Sequence, residues 1–554
     1  YIQNYESALI SFGLLEGTFF PEEKDAAYFQ GFIHHANNDW SKAEEYFKIA
    51  LESVIYSVAA LELYCSILYD HQKYEQLISL VEANLAPVSN GIILNFVADA
   101  KYALKAYEVA AADYQELLAK FSKQRNERTY FKAGFSHYLI QDTDQAEKYL
   151  KRSAVTDDSV GAYASYYLGV IYSELENYPF AVSSFENTAK YDTDLKEYAI
   201  YYQAVALLKQ SDFESVIEVL LNYDELFPKG KFKDQTNEML STAFAQTDNY
   251  DLAINHIEAL DRLSPSLKAT YQRVSYLRGM ALFNKKKLKS AVAVFQKALI
   301  HDENAYISQQ TYFWIAEALS IQGNFDEATF YYKSVVPSES HETYVKAKYG
   351  LGYAFYNMAD YVSALQHFKD FEYHVDTTIK PKYLRDVLLR GGDCYFAMKA
   401  YQEGVGYYQK ALKEGNKEVG YLYFQIGLLN RYLDQDDEAK KYFRQLIDEV
   451  AHSPSVDHAQ FQIGQIEFEN GENERAAQSN LKLIEEHPQS KFVPFALLNL
   501  AVSLENMGDS PNSIARYKEI LNRFPRHKVA NSALLGLQDK STSDDLTDFE
   551  QYLA

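Results

Sequence analysis

The sequence has few of the residues that mark most other architectures. Its 554 residues include only 23 glycines, 12 prolines and 2 cysteines. So little glycine and proline is atypical of an all-β chain or of a disordered chain. The two cysteines, Cys65 and Cys394, do not decide the compartment, and we interpret both as buried packing residues. No run of eighteen apolar residues occurs, so we expect no membrane-spanning helix in this segment.

Basic residues are also scarce relative to acidic ones. The chain has 54 Lys and Arg against 77 Asp and Glu, a net charge of −23. Binding to nucleic acid would gain little from phosphate neutralisation and would suffer repulsion, so we expect no nucleic-acid partner. The local basic stretches Lys123–Arg128 and Lys285–Lys289 fall at predicted loops or turns, where we interpret them as solvated surface.

Motifs that carry chemistry are missing as well. His34 and His35 are the only adjacent histidines, and no ligand spacing for a metal surrounds them. The acidic stretch Asp434–Glu438 lacks the glycine of a calcium loop, and its position favours a role at the start of a helix. The sequence shows neither a phosphate-binding glycine loop nor a nucleophile motif. We therefore predict no catalytic site, no metal, no cofactor and no small-molecule substrate in this segment.

What the sequence does have is a short pattern, clearest in Tyr163–Phe185. Gly169 allows close approach of a second helix, and we expect Ala181, twelve residues later, to be the matching small contact. Asn177 lies where the second helix should begin, so its side chain is predicted to cap that helix. Pro179 falls in the first turn, where its missing N–H costs little. The pattern predicts one helical hairpin.

The hairpin pattern recurs about every 36 residues, a period typical of repeat proteins. We call the small residue of the first helix the A slot and that of the second helix the B slot. The clearest predicted packing residues in these slots are Gly31, Gly134, Gly169, Ala181, Gly279, Ala291, Gly352, Ala364, Gly427, Ala439, Gly464 and Ala476.

The pattern resembles the tetratricopeptide repeat family, whose unit is a helix–turn–helix of about 34 residues. The resemblance implies an all-α solenoid of about fourteen hairpins, stacked into a right-handed superhelix. We predict the second helix of a truncated repeat in residues 1–20, the hairpins in 21–528, and C-terminal helices that cap the array or begin a further repeat in 529–554. Since the first residues already read as a second helix, we expect the natural protein to extend upstream.

The resemblance also implies which positions face the groove of such a superhelix. They lie three residues before the A slot and one and four residues after it. Many of the chain's 48 tyrosines fall there, although packing explains such aromatic residues equally well. As partner-binding candidates we predict Tyr276, Phe283, Phe313, Glu317, Tyr349, Tyr353, Tyr356, Asp393 and Phe396.

The residues at these positions argue against one known tetratricopeptide function, the binding of chaperone C-termini. Chaperone-binding members hold a C-terminal carboxylate with Lys and Asn, and the Asn would directly follow the A slot. No Asn occurs there in this chain, whereas Asp99, Glu317 and Asp393 do. We expect such an acidic groove to repel a carboxylate tail.

The remaining prediction is a non-catalytic scaffold that binds other proteins. Leu483–Ser490 and Tyr517–Pro525 resemble the BamD-like outer-membrane assembly lipoproteins and the YbgF-like periplasmic partners of the Tol–Pal system. This resemblance implies a bacterial envelope protein, periplasmic or associated with the outer membrane, whose partners are envelope complex components. The alternatives are a cytoplasmic adaptor or regulator that binds peptide segments, and the non-catalytic repeat region of a larger enzyme.

Overall fold

The computed structural model describes residues 2–17, 21–84, 90–337 and 339–538. In these residues the chain forms thirty α-helices, one short 3-10 helix at Ser122–Gln124, and no strand. The helices are α1 Ile2–Gly13, α2 Pro21–Ala36, α3 Trp40–Ala50, α4 Ser57–Asp70, α5 Tyr74–Ala83, α6 Gly91–Ala103, α7 Tyr107–Lys120, α8 Glu127–Leu139, α9 Thr143–Ser153, α10 Ser159–Glu174, α11 Tyr178–Ala189, α12 Lys196–Lys209, α13 Phe213–Leu226, α14 Lys233–Gln246, α15 Tyr250–Glu258, α16 Pro265–Asn284, α17 Leu288–Ala298, α18 Ala305–Ile321, α19 Phe325–Lys333, α20 His341–Asn357, α21 Tyr361–His374, α22 Pro381–Ala397, α23 Tyr401–Lys413, α24 Val419–Tyr432, α25 Asp436–Glu449, α26 Val456–Glu469, α27 Asn473–Glu486, α28 Val493–Asn506, α29 Ser510–Arg523 and α30 Val529–Gln538.

The helices pair into fourteen hairpins, from α2/α3 to α28/α29, each with a first (A) helix and a second (B) helix. This confirms the predicted all-α repeat fold. The chain divides into two compact units, Tyr1–Thr270 and Tyr271–Ala554. In the first unit each helix from α1 to α14 packs against the next, and in the second each helix from α17 to α29 does so. The predicted boundaries of the three regions stay predictions, and residues 541–553, where a further helix was expected, lie outside the described residues.

A left-handed residue closes the turn inside every hairpin. In each case it lies five residues before the B slot. At the turn before α11, Glu176 has φ of 56°, and the N–H of Asn177 donates to the carbonyl oxygen of Tyr172 at 2.7 Å. That six-residue bond is the Schellman arrangement that ends a helix. The left-handed positions are Asn38, Gln72, Lys105, Gln141, Glu176, Ser211, Asp248, Lys286, Gly323, Ala359, Lys399, Asp434, Gly471 and Gly508.

The prediction that the side chain of Asn177 caps α11 is wrong. Asn177 is the residue before α11, but its side chain makes no hydrogen bond to the first turn. Pro179 does lie in that first turn, as predicted. At the equivalent position Asp212 accepts a hydrogen bond from the Ser215 N–H. An Asn side chain caps other helices of this chain, at Asn90, Asn126 and Asn304, so the amide itself is not the obstacle at Asn177.

The predicted packing residues are buried in the hairpins, and the B-slot residue Ala181 is fully buried. Gly169, however, faces the ring of Phe185, because a Cβ built on it would lie 2.6 Å from that ring. The residue that requires a glycine in the A slot is therefore the one four positions after the B slot. We call that position the ring slot.

Gly and Phe are matched across the hairpin. Every Phe in a ring slot lies against a Gly in the A slot, and the five pairs are Gly31–Phe47, Gly169–Phe185, Gly279–Phe295, Gly352–Phe368 and Gly427–Phe443. Where the A slot carries a Cβ, the ring slot holds either a Tyr or a smaller aliphatic residue, as in Cys65 with Val81. A flat phenyl ring thus occupies the volume that the missing side chain leaves.

Candidate protein-binding site

Two of the predicted groove residues, Tyr349 and Tyr353, lie one helical turn apart on α20. Their hydroxyls donate hydrogen bonds to the same oxygen, Oδ2 of Asp386 on α22, and the Tyr349 bond is 2.9 Å. Their ring centroids are 4.9 Å apart, and the ring of Tyr383 packs edge-on against Tyr349 at 5.0 Å. Asp386 therefore fixes two half-buried aromatic rings of the preceding hairpin.

A second carboxylate, Asp393, is the centre of the adjoining contacts. Its Oδ1 accepts hydrogen bonds from Tyr408 at 2.7 Å and from Tyr421 at 2.8 Å. Its Oδ2 accepts from Arg390 Nη1 at 2.9 Å and from Tyr356 at 3.4 Å. Asp393 is 8% exposed, so these four donors replace most of its contact with water.

Arg390 joins the two carboxylates into one network. Its Nε donates to the hydroxyl of Tyr353 at 3.3 Å and lies 3.9 Å from Oδ1 of Asp386. The guanidinium also stands 5.9 Å from the centre of the Tyr356 ring, a cation–π distance. We call Tyr349, Tyr353, Tyr356, Asp386, Arg390, Asp393, Tyr408 and Tyr421 the tyrosine network.

The network keeps its tyrosines protonated at neutral pH. Burial, and then the hydrogen bond to Asp386, raise the pKa of Tyr353 to about 12. Burial is also the main cause of the raised pKa of Tyr349. Both tyrosines are therefore protonated at neutral pH, and both hydroxyls can donate to Asp386.

The other predicted residues form a separate cluster in hairpins α16/α17 and α18/α19. The ring of Trp314 lies 5.0 Å from that of Phe283 and 5.3 Å from that of Phe313. In the same cluster, Glu317 accepts a hydrogen bond of 2.5 Å from the Tyr332 hydroxyl, and burial raises its pKa. Tyr276 belongs to this cluster too, with its ring 6.1 Å from that of Phe295. Phe396 does not belong to this cluster. It packs against the same hydrophobic core as most of the network's tyrosines, with its ring 6.4 Å from that of Tyr401 and 6.3 Å from that of Tyr432.

Four members of the network were missed by sequence reasoning: Asp386, Arg390, Tyr408 and Tyr421. The repeat period could have found Asp386, because it lies 37 residues after Tyr349 and 33 after Tyr353, one hairpin along. Its position, six residues before an A slot, is not among those predicted to face the groove. A hydroxyl of one hairpin needs an acceptor, and the next A helix supplies it.

The described ranges contain no group of three or more His, Cys, Asp or Glu side chains that could hold a metal ion. No helix within those ranges is both long enough and apolar enough to cross a bilayer.

Comparison with known proteins identifies the repeat type. Models of the tetratricopeptide repeat match residues 188–306, 425–491 and 495–527. These segments contain the hairpins from α12 to α17 and hairpin α26/α27, together with most of α24/α25 and of α28/α29. The chain therefore contains tetratricopeptide repeats, which are generally non-catalytic and bind other proteins.

Two solved structures share local likeness with the chain. A crystal structure of MamA protein is 17% identical, covers 34% of this chain and 94% of its own, and has a TM-score of 0.28. The crystal structure of the APC/C hetero-tetramer Cut9–Hcn1 is 12% identical, covers 85% of this chain and 95% of its own, and has a TM-score of 0.25. Nothing about this chain follows from likenesses at such TM-scores. No curated protein matches the sequence.

Proposed function

We propose that this chain is a non-catalytic scaffold of a bacterial cell envelope, which binds partner proteins on the A-helix face around the tyrosine network. The observation that carries the proposal is the pair of bonds from Tyr349 and Tyr353 to Asp386. They hold two half-exposed aromatic rings in fixed positions before any partner arrives. A preorganised surface loses little entropy on binding.

The chemistry of this face suits a protein partner. Tyrosine offers a large apolar ring with a polar edge, and aromatic and Arg side chains are enriched among residues that dominate binding energy. Tyr421 at the edge of the network is 38% exposed, while Tyr408 beneath it is fully buried. The face therefore has a rigid base and an accessible surface.

The envelope assignment rests on the C-terminal hairpins. The stretches Leu483–Ser490 and Tyr517–Pro525 resemble envelope proteins of the BamD-like and YbgF-like types. In the structure, α27 ends at Glu486 and α29 at Arg523, so Pro488 and Pro525 each lie two residues beyond a B helix. Proline after a helix end is favoured because it cannot continue the helix.

Photo-crosslinking in the native cell tests both parts of the proposal. A photoreactive phenylalanine analogue replaces Tyr356, whose bond to Asp393 at 3.4 Å is the longest in the network. The matched control replaces Tyr373, which is 85% exposed on the B helix α21 of the same hairpin. A second control replaces Lys286 on a hairpin turn.

We expect position 356 to capture envelope proteins, identified by mass spectrometry, and both controls to capture far less. Capture of cytosolic proteins at position 356 would rule out the envelope assignment. Capture at 373 or 286 but not at 356 would rule out the A-helix face as the binding surface.

A further inference from the structure

A cavity of about 540 Å³ lies next to the tyrosine network, between α22 and the start of α24. Its lining is rich in charge, with four basic and two acidic side chains in a chain whose net charge is −23. The lining residues are Lys382, Arg385, Asp386, Leu389, Arg390, Asn416, Lys417, Glu418 and Tyr421. The cavity is therefore a local basic site on an acidic protein.

Three of the cations have no carboxylate partner. Lys382 and Arg385 lie three residues apart, on one face of α22, and Lys417 comes from the loop before α24. Within the described part of the chain none of them forms an ion pair. Arg385 donates from Nη1 to the Gly415 carbonyl oxygen at 3.2 Å, and its buried Nε has no hydrogen-bond partner.

The backbone of the loop is held in place around these cations. Asn416 donates from its side chain to the Arg385 carbonyl oxygen at 2.9 Å, and its Oδ1 accepts from the Glu418 N–H at 2.9 Å. Lys417 is thus carried between two fixed residues and lines the same cavity as Lys382 and Arg385. Like charges that share a cavity repel each other, and the chain has many acidic residues that could have neutralised them.

We propose that this cavity binds the carboxylate side chains of an acidic segment of the partner protein. The inference rests on the proposed scaffold function and names the chemistry of its partner. Incoming carboxylates supply the counter-charge that the described chain does not provide, and the Arg385 guanidinium can bind a carboxylate through two N–H groups.

The acidic residues do not cancel this positive charge. Asp386 and Glu418 line the cavity against four basic side chains, and Asp386 lies 3.9 Å from Arg390 Nε. Asp393 is not a lining residue, and its charge is matched by Arg390 at 2.9 Å. The sequence predicted that Asp393 would repel carboxylates. The structure pairs its charge internally, so the repulsion at this cavity is weaker than the sequence indicates.

Binding of an acidic probe tests the proposal. The probe is a fluorescein-labelled oligoglutamate peptide, titrated against the full chain with fluorescence anisotropy as the readout. The test variant combines Lys382→Glu and Arg385→Glu. The control combines Lys285→Glu in the turn before α17 and Lys289→Glu in its first turn, both exposed, and changes the net charge equally. Circular dichroism checks that both variants fold.

We expect the test variant to bind the peptide about tenfold more weakly than wild type, and the control to bind as wild type does. Rising salt should weaken wild-type binding, since the contact is ionic. Equal loss in both variants would overturn the proposal, because it would show that net charge alone controls binding. Displacement of the peptide by inorganic phosphate at equal ionic strength would also overturn it, in favour of a small-anion site.

The two proposals fail separately. If the peptide does not bind while position 356 still captures envelope proteins, the acidic-segment proposal falls and the scaffold stands. If the peptide binds and only the cavity variant loses it, while position 356 captures nothing, the carboxylate site stands and the proposed binding face falls.

Discussion

The buried hydroxyl of Tyr408 donates a hydrogen bond to Oδ1 of Asp393 across 2.7 Å, from the B helix to the A helix of one hairpin. Asp393 directly follows the A slot and Tyr408 occupies the ring slot, fifteen residues later. The same spacing joins Tyr114 to Asp99 and Tyr332 to Glu317, each at 2.5 Å. Every acidic residue that follows an A slot therefore accepts a bond from a ring-slot tyrosine. These acids supply the hydrogen-bond acceptors for tyrosine hydroxyls inside the hairpins, in addition to any part they play in the groove.

Replacing Tyr408 with Phe removes one donor from a buried carboxylate. We expect a loss of about 1–3 kcal/mol in the stability of hairpin α22/α23, because Asp393 is left with fewer partners in a site of little water. Native-state hydrogen exchange of amides in α22 and α23 measures this loss locally. Tyr421→Phe removes a donor to the same oxygen from a 38% exposed side chain, so its loss should be smaller.

The converse change tests the same relationship in a hairpin that lacks it. Phe443 is fully buried in a ring slot, and Leu428 follows the A slot there. Phe443→Tyr alone should destabilise α24/α25, since the new hydroxyl has no acceptor. Adding Leu428→Asp should recover part of the loss. A double variant no more stable than the single one would show that the fifteen-residue spacing does not define a transferable pair.

Gly169→Ala tests the match between glycine and the phenyl ring. The added Cβ would lie 2.6 Å from the Phe185 ring, and we expect a loss of about 1–3 kcal/mol from overpacking. Phe185→Leu in the same chain should restore part of that stability, because hairpin α12/α13 combines Ala204 with Leu220. Chemical denaturation and hydrogen exchange at α10 and α11 compare Gly169→Ala, Phe185→Leu and the double variant. Additive losses in the double variant would contradict a direct contact.

The left-handed turns predict a stabilising substitution. Glu176 has φ of 56°, a left-handed conformation that costs a residue with a Cβ roughly 1–2 kcal/mol. Glycine avoids this cost but loses more conformational entropy on folding, which offsets part of the gain. We expect Glu176→Gly to stabilise hairpin α10/α11 by about 0.5–1 kcal/mol. The matched control is Gly323→Ala at the equivalent turn, where φ is 82°, and it should destabilise α18/α19. Opposite signs for the two changes would be the confirming result in urea titrations, and equal signs would contradict the assignment.

The hairpins could be predicted from sequence because small residues recur at a fixed spacing that only close helix packing requires. Gly31, Gly279 and Gly427 mark this spacing without any structural information. The left-handed turns could not be predicted in the same way. Residues as different as Lys105, Glu176 and Ala359 hold that conformation, so the backbone bonds of the helix end impose it and residue identity does not.

The site was predicted only in part for a related reason. Tyr349, Tyr353 and Tyr356 stand at positions that the repeat resemblance singles out, and the structure brings them together with Asp393. Their remaining partners, Asp386 above all, come from the next hairpin. These hydrogen bonds join residues more than thirty positions apart, in two consecutive repeats. A pattern read within one repeat therefore cannot show them, and only an alignment of neighbouring repeats could.

Glu317 predicts how stability depends on pH. Burial raises its pKa above the ordinary value of about 4.3, so the folded state holds the proton more tightly than the unfolded state. Its contribution to stability is therefore fully present below that ordinary pKa and is lost as pH rises through the raised pKa. Glu317→Gln carries no charge and keeps a carbonyl oxygen for the Tyr332 hydroxyl. We expect the variant to gain stability relative to wild type as pH rises above the ordinary pKa of a glutamate, measured by urea titration.

Glu472 is the opposite case and serves as the control. Its carboxylate lies 3.0 Å from Arg475, and this hydrogen bond is the main cause of its lowered pKa. Its contribution is present above the ordinary pKa and is lost as pH falls through the lowered one, so Glu472→Gln should lose stability relative to wild type as pH rises. Because the two variants remove one negative charge each, a general charge effect would move both in the same direction. Parallel curves for the two would contradict the assignment, since only the local surroundings of Glu317 and Glu472 give their effects opposite signs.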